Sequence, residues 1–148
     1  MQKHQGVTLI ELLTVIAIIG ILTAVAVPTV SHYLPGIQLN GSARVLSANL
    51  REAQERTITE QKPHLIRFSN SPPYYYELIR VNGGVEEPAI KKVNLANSQT
   101  VSLQGITDNK VAFSTDGGPS SNGQIVLTIN GVNKTVSVSP AGFIKIEN

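Results

Sequence analysis

Gly6-Val7-Thr8-Leu9-Ile10-Glu11 opens the stretch GVTLIELLTVIAIIGILTAVAV, Gly6 to Val27, in which Glu11 is the only ionisable side chain. As a helix rising about 1.5 Å per residue, this stretch would reach roughly 30 Å, the depth of a bilayer's hydrocarbon core. Lys3 precedes it, which under the positive-inside rule favours a cytoplasmic N-terminus and places the rest of the chain outside. A carboxylate within such a span costs about 2.5 to 3.5 kcal/mol near the bilayer centre, so Glu11 asks for a partner. Gly20 lies inside the segment and Pro28 just beyond it, where glycine weakens helicity and proline removes a backbone donor. Both mark points where the helix can kink or melt.

The remainder reads as one small domain. The chain has 148 residues, 41% apolar and 15% charged, with a formal net charge of +2 and no cysteine. One compact domain plus the span accounts for that length. Without cysteine there are neither disulfides nor thiolate metal sites, and the scattered basic residues form no block that demands a nucleic-acid partner. After Pro35-Gly36, Leu39, Ala43, Leu46, Leu50 and Ala53 recur at alternating spacings of four and three, the apolar stripe of a helix expected over about residues 37–61. Pro63 closes that pattern. Eight short β-branched or alternating runs follow, at 64–68, 74–81, 89–95, 100–105, 110–114, 124–130, 134–138 and 143–146. They are punctuated by Gly83-Gly84, Asp108-Asn109, Asn130-Gly131 and Pro140. The expected architecture is α+β: a long N-terminal helix, membrane-spanning and then amphipathic, packed on a small, mainly antiparallel β domain.

The hexapeptide Gly6 to Glu11 resembles the prepilin processing motif of type IV pilins and type II secretion pseudopilins. The resemblance implies cleavage after Gly6 by a prepilin peptidase, N-methylation of the new amine on Val7, and a register role for Glu11. Val7 departs from the phenylalanine commoner at that position. It also implies that the stretch around Gly20 and Pro28 loosens on assembly. The organisation expected is a leader over 1–6, a filament-core helix over 7–28, a linker and amphipathic helix over 29–62, and an exported β-rich domain over 63–148. Later patterning, from Phe113 through the glycine- and serine-rich loop to Ile129 and then Gly142-Phe143-Ile144, is similar to the minor pilin and pseudopilin group represented by GspH and FimT. The implied partners are other pilins, the peptidase, an inner-membrane assembly platform and membrane lipid.

Three alternatives stand beside a minor subunit. A major pilin shares the same helix chemistry. A competence pilin would bind DNA through basic residues near the C-terminal hairpin, where this chain offers Lys134 and Lys145 but no arginine after Arg80, with Lys91, Lys92 and Lys110 to be gathered by folding. An ordinary secreted domain would be cut after Ala24-Val25-Ala26. No catalytic motif or cofactor signature is present: Gly-x-Ser-x-Gly and His-Glu-x-x-His are missing, and His4, His32 and His64 are dispersed. The loop from Asp116 to Gly123 lacks the ending of a phosphate-binding loop, and no metal site is expected. Tyr74, Tyr75 and Tyr76 would alternate faces on a strand. Mass spectrometry of the mature chain is expected to find Val7, methylated, at its N-terminus; a chain beginning at Val27 would assign it to signal peptidase instead.

Overall fold

Helix α1, Leu9–Glu60, precedes nine strands in a computed structural model that describes residues 8–96 and 98–147. Contacts divide the chain between Pro35 and Gly36. Residues 29–36, at the start of the expected linker and amphipathic helix over 29–62, have helical backbone. An internal proline removes one backbone hydrogen bond and costs about 3 kcal/mol. The segments on either side have separate reasons to be helical, one an unbroken apolar run and the other a stripe that packs, so the assignment persists across Pro35.

The predicted stripe is the one that is buried. Leu39, Ala43, Leu46, Leu50 and Ala53 are at most 1% exposed, and Thr57 extends the row by another four residues at 0%. The Thr57 hydroxyl donates to the Ala53 carbonyl at 2.8 Å and accepts the His64 backbone N–H at 2.9 Å. A polar side chain thereby ties the last turns of α1 to the start of the first strand. Gln61 ends the helix in the left-handed region at φ 51°, and its amide donates to the Ile58 carbonyl at 2.6 Å.

Two antiparallel sheets receive this stripe. In the first, β1 (His64–Phe68) lies between β2 (Tyr75–Asn82) and β6 (Lys110–Phe113); β3 (Val85–Glu86) and β4 (Lys91–Asn94) both pair with β2. The second runs in the order β5 (Gln99–Gln104), β7 (Gly123–Ile129), β8 (Val132–Val138), β9 (Ile144–Glu147). Register sets the inner faces by the two-residue period. Ile66 opposes Leu78 and Val111, and Phe68 opposes Tyr76, while in the second sheet Ile125 opposes Val136 and Val138 opposes Ile144. These residues and the helical stripe form one buried cluster. The eight predicted runs all contain strands, with ends shifted by a residue or two; β3 was not expected, because two residues carry no period. Gly83-Gly84 and Asn130-Gly131 are two-residue hairpin turns with φ of 49° to 83°, the left-handed pair that a tight hairpin between right-twisted strands requires.

A polar chain runs from the surface into the core. Lys91 Nζ donates to Asn49 Oδ1 at 2.7 Å, and Asn49 Nδ2 donates to the Tyr76 hydroxyl at 2.7 Å, with Asn49 and Tyr76 at most 3% exposed. Burial pushes the Tyr76 phenol up from its ordinary pKa, although the Asn49 hydrogen bond pulls the other way. Removing one partner of a buried bond leaves the other unsatisfied, at about 1 to 3 kcal/mol. Asn49→Ala is therefore expected to lower the unfolding free energy of the purified chain by about that amount, and adding Tyr76→Phe to recover part of it. Denaturant titration of the two variants in detergent checks both.

Candidate functional site

The first turn of α1 is closed by a reciprocal pair. The Glu11 backbone N–H donates to Thr8 Oγ1 at 3.3 Å, and the Thr8 backbone N–H donates to Glu11 Oε2 at 3.4 Å. The first helical bond runs from the Leu12 N–H to the Thr8 carbonyl at 3.2 Å. This is a capping box: the four leading N–H groups of a helix lack intrahelical acceptors, and Thr-x-x-Glu satisfies two of the backbone donors at that end. Thr8 was not among the residues singled out from sequence. The Thr-x-x-Glu spacing immediately before an apolar run is the signal that identifies it.

Glu11 is thus held at the helix N-terminus, where the helix dipole favours negative charge. The box engages only Oε2, and a carboxylate retains acceptor capacity on its other oxygen. Leu9–Val27 is long and apolar enough to cross a membrane, with mean hydropathy 2.6 and none of it buried. Apolar surface of this extent needs lipid or other helices to cover it. Its hydroxyls are already satisfied: Thr14 donates to the Ile10 carbonyl at 2.8 Å and Thr23 to that of Ile19 at 2.7 Å. Nothing lies within 4 Å of a Cβ built on Gly20, and the helical assignment continues through Gly20 and Pro28. Gly6 and Val7 lie outside the described residues.

The other sequence candidates do not converge. Lys134 is on β8 opposite Leu127 and shares a face with Val136, whereas Lys145 on β9 opposes Ser137 and so points from the other face. The other lysine candidates, Lys91, Lys92 and Lys110, belong to the first sheet, each beside a carboxylate. Lys91 lies 3.3 Å from Glu52, Lys92 lies 3.4 Å from Glu77, and Lys110 lies 4.0 Å from Glu86. Lys92 also sits 3.7 Å above the Tyr75 ring, Tyr76 is core, and Tyr74 is half-buried. Arg80 is paired with Glu87 and holds that carboxyl below the usual carboxylate range. His64 is fully buried on β1. Ser114 donates to Asp116 and holds its carboxyl low. Among the described residues no group of three or more His, Asp or Glu is arranged to hold a metal ion.

Residues 1–27 match the family model described as the prokaryotic N-terminal methylation motif. A fimbrial protein of Pseudomonas aeruginosa is 44% identical over 62 residues, which is 42% of this chain and 40% of that protein. Fimbrial protein Q of Moraxella bovis is 30% identical over 95 residues, 64% of this chain and 60% of that one. The chain thus spans about two-fifths to three-fifths of the length of the curated relatives it matches. Among solved structures, the type IV minor pilin FimU of Pseudomonas aeruginosa superposes with a TM-score of 0.64 at 18% identity, covering 74% of this chain and 88% of FimU. The minor pseudopilin EpsH of the Vibrio cholerae type 2 secretion system gives 0.63 at 10% identity, covering 74% and 96%. The chain thus carries the N-terminal methylation motif, is similar over part of its length to fimbrial proteins, and has the fold of FimU and EpsH, findings that support the type IV pilin and pseudopilin family.

Proposed function

We propose that this chain is a minor pilin or GspH-like pseudopilin, a filament subunit that acts in initiation or at the tip and performs no catalysis. The observation that carries the reading is the Glu11 carboxylate, fixed by Thr8 at the head of an entirely exposed apolar helix. Likeness of the folded part to FimU and EpsH supports a minor over a major subunit.

In this reading the prepilin peptidase cuts after Gly6 and methylates Val7. The helix waits in the inner membrane with its N-terminus cytoplasmic and the β domain outside. An assembly platform then moves it into the filament, where neighbouring helices replace lipid around Leu9–Val27. The amine of Val7 on one subunit meets Glu11 of the next. Each charge would be costly unpaired in an apolar setting, so the pair fixes register more than it adds stability. The span near Gly20 and Pro28 provides the place where the helix loosens during packing. DNA capture is disfavoured, since Lys134 and Lys145 lie on opposite faces and the other lysines of the β part are beside carboxylates.

Capping and counter-charge can be separated at one position. Glutamine serves a capping box as glutamate does but carries no charge. Glu11→Gln is therefore expected to leave the helix N-terminus ordered and yet abolish incorporation into filaments. Thr8→Ala should weaken the cap by about 0.5 to 2 kcal/mol, with faster amide exchange in the first turn, while incorporation persists. Sheared-filament composition, with amide exchange on the chain in micelles, reads both; normal incorporation of Glu11→Gln would sink the charge-pairing role.

A further inference from the structure

Four strands form the outer margins of the two sheets in addition to the short β3: β4 and β6 in the first, β5 and β9 in the second. Edge strands offer unpaired N–H and C=O groups to other chains, and proteins usually blunt them with charge, proline, brevity or cover. Strand β4 reads KKVN and β9 reads IKIE, each carrying charge. Strand β6 is covered, because Phe113 bridges to Pro119 and the Ser120 N–H donates to the Ala112 carbonyl at 2.7 Å. Strand β5 reads QTVSLQ, six residues with no charge and no proline. It pairs with β7 on one side and, among the described residues, with no strand on the other.

Two cavities adjoin β5. One, of about 520 Å³, is walled by Pro72, Pro73, Tyr74, Leu95 and Ala96 together with Gln99 and Thr100 of β5. The second, of about 250 Å³, is bounded by Val101 and Leu103 of β5 and by Ser69, Asn70 and Asn109. Gln99, which lines the first, is 1% exposed; its Oε1 accepts from the Ser42 hydroxyl at 3.1 Å, while its Nε2 is buried with no hydrogen-bond partner among the described residues.

We propose that β5 is a docking edge for an extended, uncharged peptide segment of a partner protein, which adds to the second sheet as a fifth strand. Main-chain hydrogen bonds to β5 supply the attachment, and the two cavities take side chains from the added strand, the larger accepting an apolar one. The strand's lack of charge selects an uncharged segment, since a lysine or glutamate entering the apolar cavity would lose its hydration without a counter-charge.

The test uses the full chain, isotopically labelled in detergent micelles. The probe is a terminally blocked peptide alternating valine and threonine, about seven residues long to match the strand. Amide shifts confined to Gln99–Gln104 and the neighbouring Tyr74, together with a loss of affinity of about tenfold or more in Ser102→Lys, are the expected result. A control peptide with lysine in place of each valine should not bind. The proposal is overturned by no binding up to about 1 mM, by equal affinity in Ser102→Lys, or by shifts centred on β9. Shifts in β5 that follow protein concentration without peptide would also overturn it, assigning the edge to a second copy. Because binding is read on unassembled chain, failure here leaves the filament reading untouched.

Discussion

One stripe of five apolar residues on α1, from Leu39 to Ala53, is shared by both sheets, and the folded part depends on that shared burial. The inner residues of the first, such as Ile66 and Leu78, and those of the second, such as Leu127 and Val136, belong to a single cluster with the helix. Full burial of each large side chain contributes about 1.5 to 3 kcal/mol. The joined cluster therefore substitutes for the disulfides that a cysteine-free domain cannot form.

The same helix presents the opposite situation before Pro35. There the described large apolar residues from Leu9 to Leu34 are exposed, and their free energy is set by whatever surrounds the chain. A carboxylate at the head of such a segment would be a defect in a solitary lipid-bound helix. The capping box reduces that cost locally by giving Glu11 a backbone donor and by placing it at the positive end of the helix dipole. Capping engages Oε2 and leaves acceptor capacity on the other oxygen of the same side chain.

Polar groups mark where the packing had to be specific. The Lys91, Asn49 and Tyr76 chain fixes β2 and β4 against α1, and Thr57 fixes the helix end against β1. Gln54 donates to the carbonyls of Gly117 at 2.7 Å and Gly142 at 3.2 Å, so one helical side chain holds two loops of the second half. None of these contacts follows a hydrophobic period, and except for Thr57 and His64 the partners lie far apart along the chain. They were not legible in the sequence for that reason.

The sequence by itself determined the elements and the motif. A 3.6-residue stripe, a two-residue alternation and paired turn residues are local properties, each enforced by the geometry of one helix turn or one hairpin. The prepilin resemblance likewise rests on six consecutive residues. Only the tertiary structure decided which elements share a core, that Lys134 and Lys145 face apart, and that uncharged β5 has a strand partner on one side only among the described residues. Those outcomes depend on strand order and register, which arise from contacts between distant residues whose side-chain pattern is compatible with more than one pairing.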